Sequence, residues 1–177
     1  MLRLITNADH LQEVLAPALM QCRHRLFIAT ADVKELHLPT GGPSHEAASI
    51  LDVFEEMSRR SVQVSLLHSG VPSGPFLGRL KQGLPANLRM RRCVRVHAKA
   101  VIVDGLWMYL GSANLTGAGL GAKSSRRRNF EAGVWTNDLP LIDPLTDMLE
   151  GIWNGSQCGD CGRKDHCPIP LEEPQLA

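Results

Sequence analysis

The chain carries almost no excess charge. Nineteen Lys and Arg stand against eighteen Asp and Glu, a formal net charge of +1 over 177 residues, so no global field gathers a polyanion and any such ligand must be held by local clusters. Aromatic residues make up only 5%, which leaves little for stacking on bases and no sign of sequence recognition by that route. No stretch approaches the ~20 consecutive apolar residues of a membrane span, and residues 1–14 (MLRLITNADHLQEV) contain no basic segment followed by an apolar run. No amphipathic membrane-binding helix is evident either. The expectation is a cytoplasmic protein with no membrane partner. Internal repeats and low-complexity tracts are also lacking.

What is present suits one folded domain. A hydrophobic share of 44% with 21% charged residues is that of a globular chain, and the length allows one core rather than two. Short β-rich runs at residues 2–5, 25–33, 61–67 and 87–92 alternate with stretches of helical period. These include residues 11–19, a face of Ala47, Ile50, Leu51, Phe54 and Met57 with Ser44 and Glu46 at its start, and residues 76–81. A further strand over residues 132–136 and an Asp138-capped helix to residue 153 complete the domain. The pattern predicts an α/β fold, a layered domain with a central mixed β-sheet flanked by helices. Residues 1–154 form that domain, and residues 155–177 are a cysteine-rich appendage.

The chemistry concentrates in residues 94–131, VRVHAKAVIVDGLWMYLGSANLTGAGLGAKSSRRRNFE. Residues 94–103 read as one strand, so His97 and Lys99, two apart, share a face. Asp104-Gly105 is a two-residue hairpin signal, and the register it predicts sets Lys99 opposite Leu110 and His97 opposite Ser112, with Asn114 extending the same row. Such a face suits a phosphodiester. A neutral His97 can attack phosphorus or move a proton, Lys99 can neutralise non-bridging oxygens, and Ser112 and Asn114 can donate hydrogen bonds to them. Gly111 leaves room for a phosphate to approach the backbone, and Glu131 can fix the tautomer of His97. Asp104 sits at the turn and is better placed to hold the hairpin than to react.

These residues resemble the signature of the phospholipase D superfamily, H-x-K-x4-D-x6-G-S-x-N, met by His97, Lys99, Asp104, Gly111, Ser112 and Asn114, with the downstream family glutamate at Glu131. The resemblance implies a catalytic set of His97, Lys99, Asp104, Ser112, Asn114 and Glu131, a covalent phosphohistidine intermediate and no catalytic metal. In that family a second histidine from a second motif protonates the leaving group. This chain has one motif, so the resemblance implies a homodimer, as in the small single-motif bacterial nucleases of the superfamily.

Lys123 and Arg126-Arg127-Arg128 lie between the Gly-Ser-x-Asn element and Glu131, and with Arg89, Arg91, Arg92 and Arg95 they predict a cationic rim suited to a phosphate backbone. Nucleic acid, DNA in particular, is the expected substrate. The chain is also similar in size to the phospholipase-D-like component of the bacterial 7-deazaguanine DNA-modification (Dpd) system, a likeness that implies restriction or modification partner proteins and a rival reading as a DNA-binding subunit. The five cysteines include Cys158-x2-Cys161-x5-Cys167, and in a reducing compartment that spacing predicts a metal rather than disulfides. The fourth ligand is Cys22, Cys93 or His166, with Cys22 favoured, and the group is a structural zinc or a [4Fe-4S] cluster.

Overall fold

The computed structural model describes residues 1–39, 47–163 and 167. Seven strands form one mixed sheet: β1 (Leu2–Thr6), β2 (Arg25–Thr30), β5 (Gln63–His68), β6 (Leu88–Arg92), β7 (Lys99–Val103), β8 (Trp107–Gly111) and β9 (Ala132–Thr136). Between β2 and β5 a small separate pair, β3 (His37–Pro39) and β4 (Ala47–Ser49), stands where the sequence predicts a loop and the start of a helix. The sheet order is β1-β9-β8-β7-β2-β5-β6. β2, β5 and β6 run parallel, and every other pairing is antiparallel.

Apolar spacing decides which helix covers which face. A π-helical stretch (His10–Leu15) runs into α1 (Ala16–Gln21), followed by α2 (Ile50–Arg59) and α3 (Gly74–Gln82). Their buried residues, among them Leu15, Leu19, Phe54, Met57, Phe76 and Leu80, join Val101, Val103 and Tyr109 in one core. On the other face α4 (Leu139–Trp153) lays Ile142 and Leu149 over Phe27, Ala100, Ile102 and Met108. The start of α2 is set by Ser49, whose hydroxyl accepts from Leu51 N (3.1 Å) while Asp52 accepts from Ser49 N (3.2 Å), a reciprocal cap. The cap expected from Ser44 and Glu46 lies outside the described residues. Among the described residues no helix is long and apolar enough to cross a membrane.

The central hairpin differs from its expected register in one respect. Its turn closes as the Asp-Gly pair predicts: Leu106 N donates to Val103 O (2.9 Å), and Asp104 and Gly105 have φ of 53° and 70°. Beyond the turn, however, Val103 pairs with Trp107 and Lys99 with Gly111, so Leu106 is an extra residue and the ladder slips by one. Nor do residues 94–103 form a single strand. Cys93 N donates to His68 O (2.8 Å) and Val96 N returns to Cys93 O (3.0 Å), a turn that delays β7 until Lys99.

Asp104 stands at the turn, apart from the other motif residues. It lies at the far end of β7 from Lys99, about 17 Å away at the usual antiparallel rise per residue, and takes no part in a constellation with His97. Its carboxylate accepts from the backbone N–H groups of Arg23 (2.9 Å), His24 (2.8 Å) and Arg25 (2.8 Å), with the Cys22 thiol at 3.5 Å. Burial pushes its pKa up, but the amides of Arg25, Arg23 and His24 and the Cys22 thiol outweigh this and hold it below the ordinary 3.8. A depressed carboxylate contributes stability that is present above its unfolded value and lost as pH falls through the lower folded value. Asp104→Asn is therefore expected to cost about 1–2 kcal/mol in chemical unfolding at neutral pH, with the difference from wild type shrinking in strong acid.

Candidate active site

Strand direction gathers the motif at one end of the sheet. β7 is antiparallel to β2, so its first residue, Lys99, lies at the carboxyl end of β2; β8 returns to that end at Gly111, and β9 leaves from it at Ala132. His97, Lys99, Ser112, Asn114 and Glu131 thus come from three different chain segments to one edge, the usual place for ligands where parallel strands end.

Lys99 is 7% exposed, whereas His97, just outside the strand, is exposed. The Lys99 ammonium donates to His97 O (2.8 Å) and lies 3.2 Å from both Nδ1 and Nε2. Equal approach to both ring nitrogens is one that no single in-plane lone pair can offer, so the firm bond is to the carbonyl. Burial lowers the Lys99 pKa, and the Glu131 charge opposes that shift. The arrangement offers an accessible imidazole with a cation beside it.

Glu131 does not meet His97 as expected. Ser112 Oγ donates to its Oε2 in a short bond and Asn129 Nδ2 to its Oε1 (3.0 Å), while Ser112 Oγ accepts from Ala132 N (3.1 Å). Asn7, with φ 47°, fixes the residue from β1: Asn7 Oδ1 accepts from Glu131 N (3.3 Å), and Asn7 N donates to Glu131 O (3.0 Å). Neither Asn7 nor Asn129 is predicted as a partner from sequence; the signal available for Asn7 is a polar residue directly after a strand.

Asn114 also has a different task from the one expected. Its Oδ1 accepts from Ala31 N (3.1 Å) and Asp32 N (3.2 Å), with Thr30 Oγ1 at 3.2 Å, and Leu115 N donates to Thr30 Oγ1 (3.0 Å). The carboxyamide oxygen thus staples the β8 exit to the end of β2 and leaves the Asn114 NH2 as the group able to donate outward. Gly111 does not leave open space. A Cβ there would stand 2.2 Å from the Tyr109 hydroxyl and 2.6 Å from Ala132 O, and one on Gly133 would meet the same ring at 2.4 Å. Tyr109 fills that room, its hydroxyl accepting from Ala113 N (3.3 Å), and burial pushes its phenol up to about 12.

The cationic rim is smaller than predicted. Arg91 donates to Trp153 O (2.6 Å) and lies over the Trp153 ring, Arg92 donates to Ser69 O (2.9 Å), and Arg95 reaches Cys161 Sγ (3.5 Å). These side chains hold α4, the β5 end and the tail. Lys123, Arg126 and Arg127 are exposed and Arg128 half-buried on the β8–β9 loop, and among the described residues none of the four forms an ion pair. Cys22 is not with the tail cysteines. It is buried against Asp104, its thiol pushed up to about 12 by burial and then by that carboxylate. A groove of about 940 Å³ also lies at that far end, lined by Cys22, His24, Asp104, Trp107 and Trp135. It contains none of the His97 set.

An exposed histidine, a buried lysine and a serine–glutamate pair thus stand together at one end of a mixed sheet. The profile of the family described as "Cardiolipin synthase, PLD-like domain" matches residues 15–153, and the chain belongs to this family. Among solved structures, NucT from Helicobacter pylori is similar at TM-score 0.60 and 15% identity, covering 85% of this chain and 93% of NucT. Nuc from Salmonella typhimurium, a phospholipase D family member, is similar at TM-score 0.60 and 18% identity, covering 87% and 94%. TrmBL2, an archaeal chromatin protein, is similar at TM-score 0.55 and 14% identity, covering 86% of this chain and 52% of its own. Comparison with curated protein sequences returned no match.

Gly111→Ala tests the site's packing. Its methyl group must displace Tyr109 or the Ala132 carbonyl, so thermal unfolding is expected to show a loss of about 1–3 kcal/mol, whereas Gly78→Ala, inside α3 with open space around it, should raise stability by about 0.5–1 kcal/mol.

Proposed function

We infer that the protein is a phosphodiesterase that cleaves nucleic acid through His97, with two chains completing one site. The observation that carries this reading is the pairing of an exposed imidazole with the buried Lys99 ammonium at the sheet end. In the proposed reaction a His97 ring nitrogen attacks phosphorus as the bond to the leaving oxygen breaks. The His97 of a second copy gives its proton to that oxygen, then takes one from water, whose oxygen displaces the phosphohistidine nitrogen. Lys99 and the Asn114 NH2 neutralise and bind the non-bridging oxygens, while Ser112 and Glu131 hold the rim. No step in this scheme passes through a metal.

One chain supplies a single such histidine, so an acid for the leaving group must come from elsewhere. Support for a second copy lies beside the site. Leu2, Leu4, Val134 and Leu110 follow one another across β1, β9 and β8 on the α4 face but beyond its cover. Leu2 and Leu4 are 64% and 70% exposed and Phe130, next to Glu131, is 97% exposed. Apolar side chains presented together in this way suit burial against a partner. The unpaired cations of the β8–β9 loop favour a polyanionic substrate over a single phosphomonoester, and the similar TrmBL2 is described as showing a mode of DNA binding.

Labelled single- and double-stranded DNA incubated with the protein in EDTA is expected to be cleaved, and His97→Ala should reduce the rate by on the order of 10³ or more. Gel filtration with light scattering should give a dimer. DNA bound but uncut by both proteins would replace this reading with that of a binding subunit needing partner proteins of a modification or restriction system. A strict monomer that still cleaves would remove the shared site.

A further inference from the structure

At the edge of the sheet away from Cys22, the turn after β6 meets the segment that follows α4. Cys93, Cys158 and Cys161 line one cavity of about 280 Å³ with Arg95, Met148 and Ile152. Cys161 N donates to Cys158 O (3.3 Å), so the Cys-x2-Cys unit already bends into a turn that aims both side chains one way. The fold brings Cys93 to it from the other side, through its amide bond to His68 O. Cys167, six residues beyond Cys161 on the same segment, is half-buried. All five cysteines are outside disulfides.

We propose that Cys93, Cys158, Cys161 and Cys167 form a tetrathiolate zinc site that fastens the C-terminal segment to the end of β6. Three thiols around one cavity, with a fourth close by in sequence, are a soft-ligand set of the number and kind that zinc takes. On binding, each thiol gives its proton to solvent and its sulfur lone pair to the metal, and four sulfurs at the corners of a tetrahedron complete the zinc shell. Among the described residues no three such side chains stand in coordinating geometry, so binding brings the Cys158, Cys161 and Cys167 sulfurs closer to Cys93. Cys22, enclosed by Asp104 at the opposite end of the sheet, is excluded as fourth ligand. Arg95, already reaching Cys161 Sγ at 3.5 Å, offsets part of the negative charge of a four-thiolate shell.

The site bears on catalysis through position. Cys93 opens the non-strand turn that leads into His97, and a metal there fixes the turn from its first residue. Full-length protein purified from zinc-supplemented medium is expected to hold about one zinc per chain. Cys22→Ser should retain it, and Cys93→Ser and Cys161→Ser should each lose it. Exchange with cobalt should give thiolate-to-metal absorption in wild type and Cys22→Ser only. Circular dichroism checks that each variant is folded, and Cys161→Ser, outside the sheet, carries the test if Cys93→Ser does not fold. Zinc retained in both of those variants, stoichiometric iron in its place, or metal-free native protein whose four thiols all react with a thiol reagent would overturn the assignment. None of these readouts depends on DNA cleavage.

Discussion

The acceptance of three successive amides, those of residues 23–25, by one carboxylate is the constraint on which the site depends. Asp104 closes the hairpin at one end and thereby fixes how far β7 advances along β2. Side chains on a strand alternate, so a slip of one residue would turn Lys99 from the β2 end into the opposite face. The carboxylate never approaches a reacting atom. It acts at the far end of the strand on the alignment that delivers the lysine.

From that alignment the remaining contacts follow in order. With Lys99 opposite Gly111, the chain leaves β8 with Ser112 facing β9, and the serine hydroxyl binds both Ala132 N and Glu131. Two residues on, Asn114 gives its side-chain oxygen to the amides after β2, which leaves its NH2 to face outward. Tyr109 locks the two glycines on neighbouring strands, so its ring takes the volume that their missing side chains leave. Stability and chemistry share this edge, and several residues recognisable as catalytic by spacing spend at least one polar atom on holding the others.

The motif was legible because its spacing is a pattern of residue types that needs no knowledge of the fold, and the layered α/β class was legible from alternating periods. The failures have local causes. Nothing in the composition of residues 104–107 distinguishes a tight hairpin from one with a single extra residue, so Leu106 shifted the register unseen. Val94 and Val96 alternate like a strand, yet their backbone closes a turn on Cys93. The β3–β4 pair arose in a stretch read as a loop because its pairing is non-local. Cys22 is favoured over Cys93 as partner for the distant cysteines on a line of sequence, which says nothing of where either lies in the sheet. Only the sheet, with one at each end, separates them.

The β8–β9 loop is tied at its base by Ser112 N to Ala132 O (2.9 Å) and again by Asn129 N to Ala118 O (3.0 Å), with Arg126 and Arg127 exposed between the second tie and the domain surface. Inside the second tie the loop's backbone bonds are local, such as Arg127 N to Ser124 O (2.8 Å), so that stretch can be rewritten without disturbing what lies below. The fold thus keeps two things apart: a stretch whose length and charge the sheet does not dictate, and the strand ends whose spacing it does.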